Sequence, residues 1–451
     1  VWAQVDTVYR LPDAVVVGRR HAELGDAARL VLRADSLEGM EAVAPLAQIL
    51  GRRGGLYLRM YSPSGLAGLP LRGLSPAHTA VVWNDMPVVN PMNGVPDMSL
   101  LPVGLMQEVA LVEGGAAALY GSGAMGGQLE LQSGTARREG LHGRLVAGLG
   151  SFGEQRLLAK TGFRQNGWAA TVGLAHRLER NAYPLPFTGA RQQWARAEVL
   201  DLTLDAEAPV GKTGRVQLFG WWQGADRQIP PSLTAALTHD VQQDHSLKAG
   251  LRWTRPARRG LWKAMVGWQR DDILFFSDLV DSSFSLAHRL YARAERLWQA
   301  DDWQWRLGVE GQYLRGRADG YQLRPRRTRA DLLAFAKKAP EQGLQLALHG
   351  RLQWVFGEVV VPSGSVVLER RWGSVTARLA LARNFRLPTF NDRYWFDGMA
   401  RGNPDLKPEK GWNLEWGLVG TGWLDWRLDL HAARVRDWIL WTPVQGIWQP
   451  H

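Results

Sequence analysis

Cysteine is absent from the sequence, and no run approaches the ~18–20 consecutive apolar residues that a membrane-spanning helix needs. The first absence excludes a disulfide framework, a thiolate metal site and a cysteine nucleophile. The second excludes a helical membrane protein but leaves a β-barrel open, because barrel strands alternate apolar and polar residues. The apolar fraction of 45% still allows a packed core.

Lysine is scarce, since eight of the 54 basic residues are Lys and the rest are Arg, in a chain of net charge +11. The arginines are spread along the chain instead of gathering on one helix or arm, so the criterion for nucleic-acid binding is unmet. Arginine forms bidentate pairs with phosphate. We therefore expect lipid phosphates, and no nucleic acid, as partners of these charges.

Patterns typical of catalysis are missing as well. The ten His residues show no metal-ligand spacing, and the neighbours in Asp271-Asp272 and Asp301-Asp302 point to opposite faces of a strand. The sequence Gly121-x-Gly123-x-x-Gly126 matches a dinucleotide motif as text, but Gln128–Gln132 after it alternates like a strand, not a helix. We predict no enzyme, no metal and no cofactor, and interpret the glycines as a turn close to a neighbouring wall.

Tryptophan, by contrast, is abundant, with 22 residues, and it favours membrane–water boundaries. From about Gly143 onward the chain shows roughly 14 or 15 long segments of period two, of which Trp303–Tyr313, Leu344–Trp354 and Trp426–Ala432 are examples. Most approach the ~9–11 residues of a tilted transmembrane strand, whereas soluble strands average about 5–6. A membrane barrel is favoured, and a soluble β-rich protein stays the alternative.

The first 135 residues have a mixed pattern. Ala42–Leu50 predicts a short helix ending at Gly51, and Ala80–Trp83 and Glu108–Val112 predict short strands. The sequence therefore predicts a mainly β protein in three parts: a leading segment over 1–20, a small α+β domain over 21–135, and an antiparallel transmembrane β-barrel over 136–451.

Several motifs, in this order and spacing, resemble TonB-dependent outer-membrane receptors: Leu71-Arg72-Gly73, Asn84–Pro87, Val112–Gly127, Asn384–Phe390 and Gly402–Lys410. The resemblance implies that the α+β domain is a plug inside a barrel of 22 strands. About 14–15 strands are expected here, and the chain ends in Gln449–His451, seven or eight strands early by that count. A truncated product, a fragment or an incomplete chain is the expectation, and a natural smaller barrel is the alternative.

The resemblance also implies a function: active uptake of a scarce nutrient complex across the bacterial outer membrane, with TonB as the periplasmic partner. Cobalamin is the expected cargo, although Arg180–Arg191 lacks the aspartate cluster with which cobalamin receptors bind calcium. A ferric siderophore is the alternative cargo, and a passive porin-like or adhesion barrel is the alternative of another class. Outer-membrane lipid, including lipopolysaccharide, is a further expected partner.

The segment Asp13, Ala14, Val15, Val16 and Val17 resembles the TonB box of the family. An extended, β-branched segment of this kind can add a strand to the edge of a partner's sheet. An ordinary first strand of the plug is the alternative interpretation, and Asp6–Tyr9 is a second candidate box.

The resemblance places ligand contacts at the outward tips of the plug and in a barrel loop. The predicted contacts are Tyr61, Ser62, Ser64, Asn90, Met92, Asn93, Tyr394, Trp395 and Phe396. Aromatic and Met surfaces with a few polar groups suit a bulky amphipathic ligand. Plain loop packing is the alternative for each residue.

Overall fold

The computed structural model describes residues 28–33, 36–60, 62, 65–185, 189–230, 238–278, 282–338 and 343–451. The predicted TonB box Asp13–Val17, the second candidate Asp6–Tyr9, and the predicted ligand contacts Tyr61 and Ser64 lie outside these residues. No described helix combines the length and the apolar character that crossing a membrane requires.

The N-terminal part is a small α+β domain, which we call the plug. Its five-stranded sheet has the order β1-β6-β7-β4-β5. The strands are β1 (Ala28–Arg33), β2 (Arg59–Met60), β3 (Ala67–Gly68), β4 (Thr79–Trp83), β5 (Met86–Pro87), β6 (Glu108–Glu113) and β7 (Gly127–Gln132), and the helices are α1 (Gly39–Ala42), α2 (Leu46–Gly54) and α3 (Ala117–Tyr120). The strands predicted at Ala80–Trp83 and Glu108–Val112 are confirmed.

The single helix predicted over Ala42–Leu50 is wrong, because the chain forms two helices there. Helix α1 ends at Ala42, and Pro45 is the N-cap of α2. A proline cannot donate a helical hydrogen bond and disfavours helix at the residue before it, which explains the break. Helix α2 also runs past Gly51 to Gly54, where Gly55 ends it in a left-handed conformation (φ 57°).

The core of the plug continues into the wall that surrounds it. Ile49, Trp83 and Leu129 are fully buried, and they share one cluster with the wall residues Phe219 and Trp221. The rings of Trp83 and Phe219 meet edge to face with centroids 5.1 Å apart. The plug is therefore packed against the wall by shared apolar contacts.

In the part of the chain that the structure describes, fifteen strands form the wall, each paired antiparallel with the next in the chain. This confirms the long alternating segments that the sequence predicts. The strands are β8 (Gly140–Gly150), β9 (Glu154–Gln165), β10 (Trp168–Glu179), β11 (Ala197–Val210), β12 (Gly214–Ile229), β13 (Asp240–Ala257), β14 (Gly260–Phe276), β15 (Ser283–Ala300), β16 (Trp303–Ala318), β17 (Arg326–Lys338), β18 (Leu344–Val355), β19 (Val359–Trp372), β20 (Val375–Arg386), β21 (Glu409–Gly420) and β22 (Trp426–Arg436). Helix α4 (Phe390–Tyr394) precedes β21, and the hairpin β23 (Trp441–Val444) and β24 (Ile447–Pro450) follows β22.

Burial along the wall is inverted relative to a soluble sheet. In β16, Leu307 and Val309 are 50% and 56% exposed, whereas Arg306 and Glu310 are buried on the opposite, plug-facing side. In water, a sheet with apolar side chains on its exposed face and charged side chains on its buried face is unfavourable. The same arrangement is favourable when a bilayer covers the outer face and a polar lumen lies against the inner face. The membrane interpretation of the alternation is confirmed, and the soluble alternative is disfavoured.

The two rims of the wall differ. Connections on one rim, the short-turn rim, are brief, as at 166–167, 211–213, 258–259 and 301–302. Connections on the other, the long-loop rim, include 180–196, 230–239, 319–325 and 387–408. In outer-membrane barrels short turns face the periplasm and long loops face outward.

Candidate functional site

The plug presents one tight loop toward the long-loop rim. Asn90 Oδ1 accepts a hydrogen bond from Met92 N (2.9 Å), and Asn93 Oδ1 accepts one from Val95 N (3.3 Å). Gly94 has a φ of 69°, and a Cβ built there would lie 2.5 Å from Thr389 Cγ2. Glycine is therefore required at this position both by the backbone conformation and by the barrel loop above it.

Helix α4 of the barrel loop lies directly on this plug loop. A capping box between Thr389 and Asp392 starts the helix. Phe390 N then donates to Pro91 O (3.3 Å), and Asn391 N donates to Met92 O (2.9 Å). Backbone hydrogen bonds thus join the mouth of the barrel to the plug.

Three of the predicted ligand contacts meet at α4: Tyr394 is its last residue, Trp395 follows it, and Met92 lies beneath it. Met92, only 3% exposed, packs in a cluster with Phe390, and the half-buried Tyr394 and Trp395 pack against the same cluster. The predicted spatial proximity of Met92 to these aromatics is thus found, but in a closed apolar contact. Met92 reaches a ligand only if α4 moves.

The remaining described members of the predicted set are more dispersed. Phe396 is 48% exposed and its N–H donates to Gly320 O (2.7 Å), and Asn93 is exposed. Ser62 lies in a turn in which Gly65 N donates to its carbonyl (3.2 Å), and no described contact brings it into the cluster under α4. Ligand binding by any of these residues stays a prediction.

Beside α4, Tyr321 on the neighbouring loop donates a hydrogen bond from its hydroxyl to Asn391 Oδ1. Burial, together with the nearby Asp392 carboxylate, raises the pKa of Tyr321 above its usual range. The hydroxyl therefore stays protonated and available as a donor to α4 at physiological pH.

A first cavity of about 140 Å³, the Asp97 cavity, opens between the plug loop and strands β12–β14. Asn90 and Asn93 line it on the plug side. Arg227 spans it, with ion pairs of 2.7 Å to both Asp97 and Asp244. The described lining carries four carboxylates, of Asp97, Asp244, Asp271 and Asp272, against the two cations Arg227 and Lys248, so this cavity is polar and acidic.

A second cavity of about 110 Å³, the arginine cavity, opens on the other side of Asn90, below Pro388 and Thr389. Among the described residues that line it are four arginines and no carboxylate: Arg289, Arg327, Arg329 and Arg386. Each comes from a strand of the wall, β15, β17 or β20, near its long-loop end. The cavity therefore concentrates positive charge beside the plug tip.

These arginines are not equally neutralised. Arg327 pairs with Glu358 (2.9 Å) and Arg386 with Glu409 (2.8 Å). Arg289 donates to the carbonyl of Val89 (2.9 Å) and the amide of Gln269 (2.8 Å), and Arg329 donates to the amide of Gln312. In the described part of the chain, Arg329 Nε and Arg327 Nη2 are buried without an acceptor, which suits an anionic group entering the cavity.

Sequence reasoning missed all four arginines. One signal was available: Arg327-x-Arg329 places two guanidinium groups on the luminal face at the very start of a strand. Arg289 and Arg386 lie far away in sequence, so their convergence depends on the strand order.

Below the cavities, the Gly-rich segment of the plug passes close to the wall, as predicted. Gly123 N donates to Phe385 O (3.2 Å), and a strand, β7, follows the glycines instead of a helix. Arg351 of the wall donates to the carbonyls of Ala118 (3.4 Å) and Leu119 (3.1 Å). No described cluster of His, Asp or Glu has the arrangement of a metal site.

A wall of long antiparallel strands, apolar outside and polar inside, with a separate domain packed on its polar face, defines a plugged β-barrel. The family of the TonB-dependent Receptor Plug Domain matches residues 26–128, and that of the TonB dependent receptor-like, beta-barrel matches residues 126–450. The chain belongs to the TonB-dependent receptor family, which comprises receptors and transporters, not enzymes. The predicted domain boundaries at 20/21 and 135/136 stay predictions.

Individual relatives are distant. The Vitamin B12 transporter BtuB of Photobacterium profundum is 24% identical over 434 residues, covering 92% of this chain and 68% of that protein. The Vitamin B12 transporter BtuB of Vibrio vulnificus is 21% identical over 403 residues, covering 85% of this chain and 64% of that protein. The structure of the siderophore receptor PirA from Acinetobacter baumannii shares the fold, with a TM-score of 0.78 at 15% identity over 93% of this chain and 72% of that chain.

Proposed function

We propose that the protein takes up a scarce nutrient complex across the bacterial outer membrane, with energy supplied through TonB from the periplasmic side. The observation that carries the proposal is the plug packed on the charged inner face of a lipid-exposed wall. Its tip is held under a loop of the long-loop rim. A passive pore has no use for such a plug, so a porin-like or adhesion barrel is disfavoured.

Ligand entering from outside meets α4 and the two cavities first. Displacement of α4, which carries Tyr394 and is followed by Trp395, uncovers Met92, and the three side chains then present an apolar surface to a bulky ligand. Polar groups of the ligand then reach Asn90, which lines both cavities. Binding at this position acts directly on the plug loop, which is the part that has to move for transport.

Cobalamin is the cargo we propose first, because both sequence relatives described above are vitamin B12 transporters. The test is calorimetry of cobalamin against the full protein in detergent, with one saturable site expected. Replacing Trp395 with Ala in the same experiment weakens binding if the aromatic side chains at the end of α4 contact the ligand. Absence of cobalamin binding eliminates this cargo.

An anionic ferric siderophore is the second candidate, and the arginine cavity favours it. Replacing Arg329 with Gln removes one positive charge that has no carboxylate partner among the described hydrogen bonds. A lost charged hydrogen bond costs ~1.5–3 kcal/mol, roughly a tenfold to hundredfold loss of affinity for an anionic ligand. Cobalamin binding is expected to change less, and Arg258→Gln on the short-turn rim serves as the matched control.

The coupling to TonB is tested separately, at the predicted box. Replacing Val16 with Pro removes a backbone N–H that pairing with a partner strand would require. We expect uptake of radiolabelled ligand by whole cells to stop while binding at the cell surface persists. Persistent uptake rules out Asp13–Val17 as the box and directs attention to Asp6–Tyr9.

A further inference from the structure

Basic side chains lie side by side on the outer face of four adjacent strands near the long-loop rim. The register places Arg270 opposite His288, His288 opposite Arg315, and Arg315 opposite Arg326. Directly opposed residues of an antiparallel pair share one face. Arg270, Arg315 and Arg326 are exposed, and so is Arg317, two residues further along the same face of β16. We call these five residues the basic row.

The neighbouring rows fix the depth of the basic row in the membrane. The next row toward the short-turn rim contains Trp268, Leu290, Tyr313 and Thr328, and the row after that contains Val266, Ala292, Gly311 and Ala330. Trp and Tyr favour the boundary between headgroups and hydrocarbon. The basic row, one step outward from these aromatics, therefore lies at the level of the outer-leaflet headgroups.

Few carboxylates of the described residues pair with the basic row. Arg270 Nε pairs with Asp272 at 3.2 Å. For Arg315, Arg317 and Arg326, the described part of the chain offers no ion pair with a carboxylate. Arg315 and Arg326 lie directly opposite one another, and like charges in this arrangement destabilise a sheet. An anion from outside the protein that lies against the two guanidinium groups offsets this repulsion.

We propose that the basic row binds one lipid headgroup that carries two or more phosphates on a single scaffold. Adjacent strands lie about 4.8 Å apart, so Arg270 and Arg326 are separated by roughly 14 Å. A single phosphate contacts neighbouring side chains of the row, whereas a headgroup with several phosphates contacts the whole row and loses its translational freedom only once. The arginine fork binds phosphate through two hydrogen bonds, which lysine cannot do. This lipid site is independent of the cargo site inside the barrel.

The experiment measures lipid binding to the full protein in detergent by native mass spectrometry. The probes are bisphosphorylated lipid A, its monophosphorylated form, and phosphatidylglycerol. Each surface arginine contributes about a fivefold gain in affinity for anionic lipid. The triple variant Arg315→Gln, Arg317→Gln, Arg326→Gln is therefore expected to bind bisphosphorylated lipid A with roughly 100-fold lower affinity. The monophosphorylated form is expected to bind the unaltered protein with intermediate affinity.

Arg258→Gln is the matched control, because Arg258 is exposed but lies on the short-turn rim. Unchanged migration of the folded form on unheated gels establishes that each variant folds, and Arg326→Gln alone provides the test if the triple variant does not. The proposal is overturned if the triple variant and the Arg258→Gln control bind bisphosphorylated lipid A with equal affinity. So does phosphatidylglycerol binding as tightly as bisphosphorylated lipid A, since the row is then a general anionic-lipid surface.

Discussion

The outward face of β16 allows a direct test of which solvent surrounds the wall. Val309 is 56% exposed and lies on the same face as Trp305 and Tyr313, four residues from each. At about 3.4 Å per residue and a tilt of ~45°, Val309 lies roughly 10 Å from Trp305 and from Tyr313 along the membrane normal. This position is the middle of the hydrocarbon layer. We predict that Val309→Arg strongly destabilises the folded protein.

The expected magnitude separates the two environments. An arginine at the midplane of a bilayer costs about 2–4 kcal/mol in a barrel, and near the interface the cost falls to ~0–1 kcal/mol. In water, a substitution at such an exposed site stays within about 0.5 kcal/mol of the parent. Thr328→Arg, exposed in the row that contains Tyr313, is the matched interfacial control.

The assay is urea-dependent folding into phosphatidylcholine vesicles, followed by tryptophan fluorescence. We expect Val309→Arg to lower the free energy of unfolding by about 2–4 kcal/mol and Thr328→Arg by at most ~1 kcal/mol. If both variants unfold at the urea concentration of the parent, the apolar rows face water, and the membrane interpretation fails.

Three further predictions concern the plug and its contacts. Arg351→Met removes an ion pair from the buried carboxylates of Asp331 and of Glu310, which still pairs with Arg293, so urea unfolding should show a loss of about 3–5 kcal/mol, and a smaller loss if Asp331→Asn is added. Gly94→Ala should weaken both stability and ligand binding, because φ is 69° and the new Cβ meets Thr389, whereas Gly73→Ala, with φ 72° and open space, should show only the backbone strain. The hydrogen bond from Arg53 holds the pKa of Glu41 below its usual value, so their pairing stabilises the plug at neutral pH and is lost as pH falls through that lowered pKa. The stability difference between the parent and Arg53→Gln should therefore vanish in acid, and a constant difference across pH would contradict this.

Much of the wall could be predicted from the sequence, because period two is a local property. The segments beginning at Trp303, Leu344 and Trp426 are strands that begin at those residues, and only their ends extend further. The division of the predicted helix into two could also have been predicted, because Pro45 marks the break.

The site was less predictable, because its geometry depends on register and on backbone contacts. The arginine cavity joins β15, β17 and β20, and only the strand order brings Arg289 and Arg386 to one place. The proximity of Met92 to Trp395 followed from the family resemblance, but the burial of Met92 did not. Met92 is buried by packing against Phe390 of α4 and against Ala287, Leu314 and Ala318 of the wall, contacts between distant parts of the chain that no local sequence pattern reveals. Two hydrogen bonds, from α4 to Pro91 and to Met92, hold the helix over the plug loop.

Those two hydrogen bonds have a mechanical consequence. While Phe390 is bonded to Pro91 and Asn391 to Met92, movement of the plug loop and movement of α4 are coupled. If the protein works as proposed, a pull on the plug from the periplasmic side therefore displaces α4 as well. Release of the bound ligand and opening of a path through the barrel would then belong to the same movement.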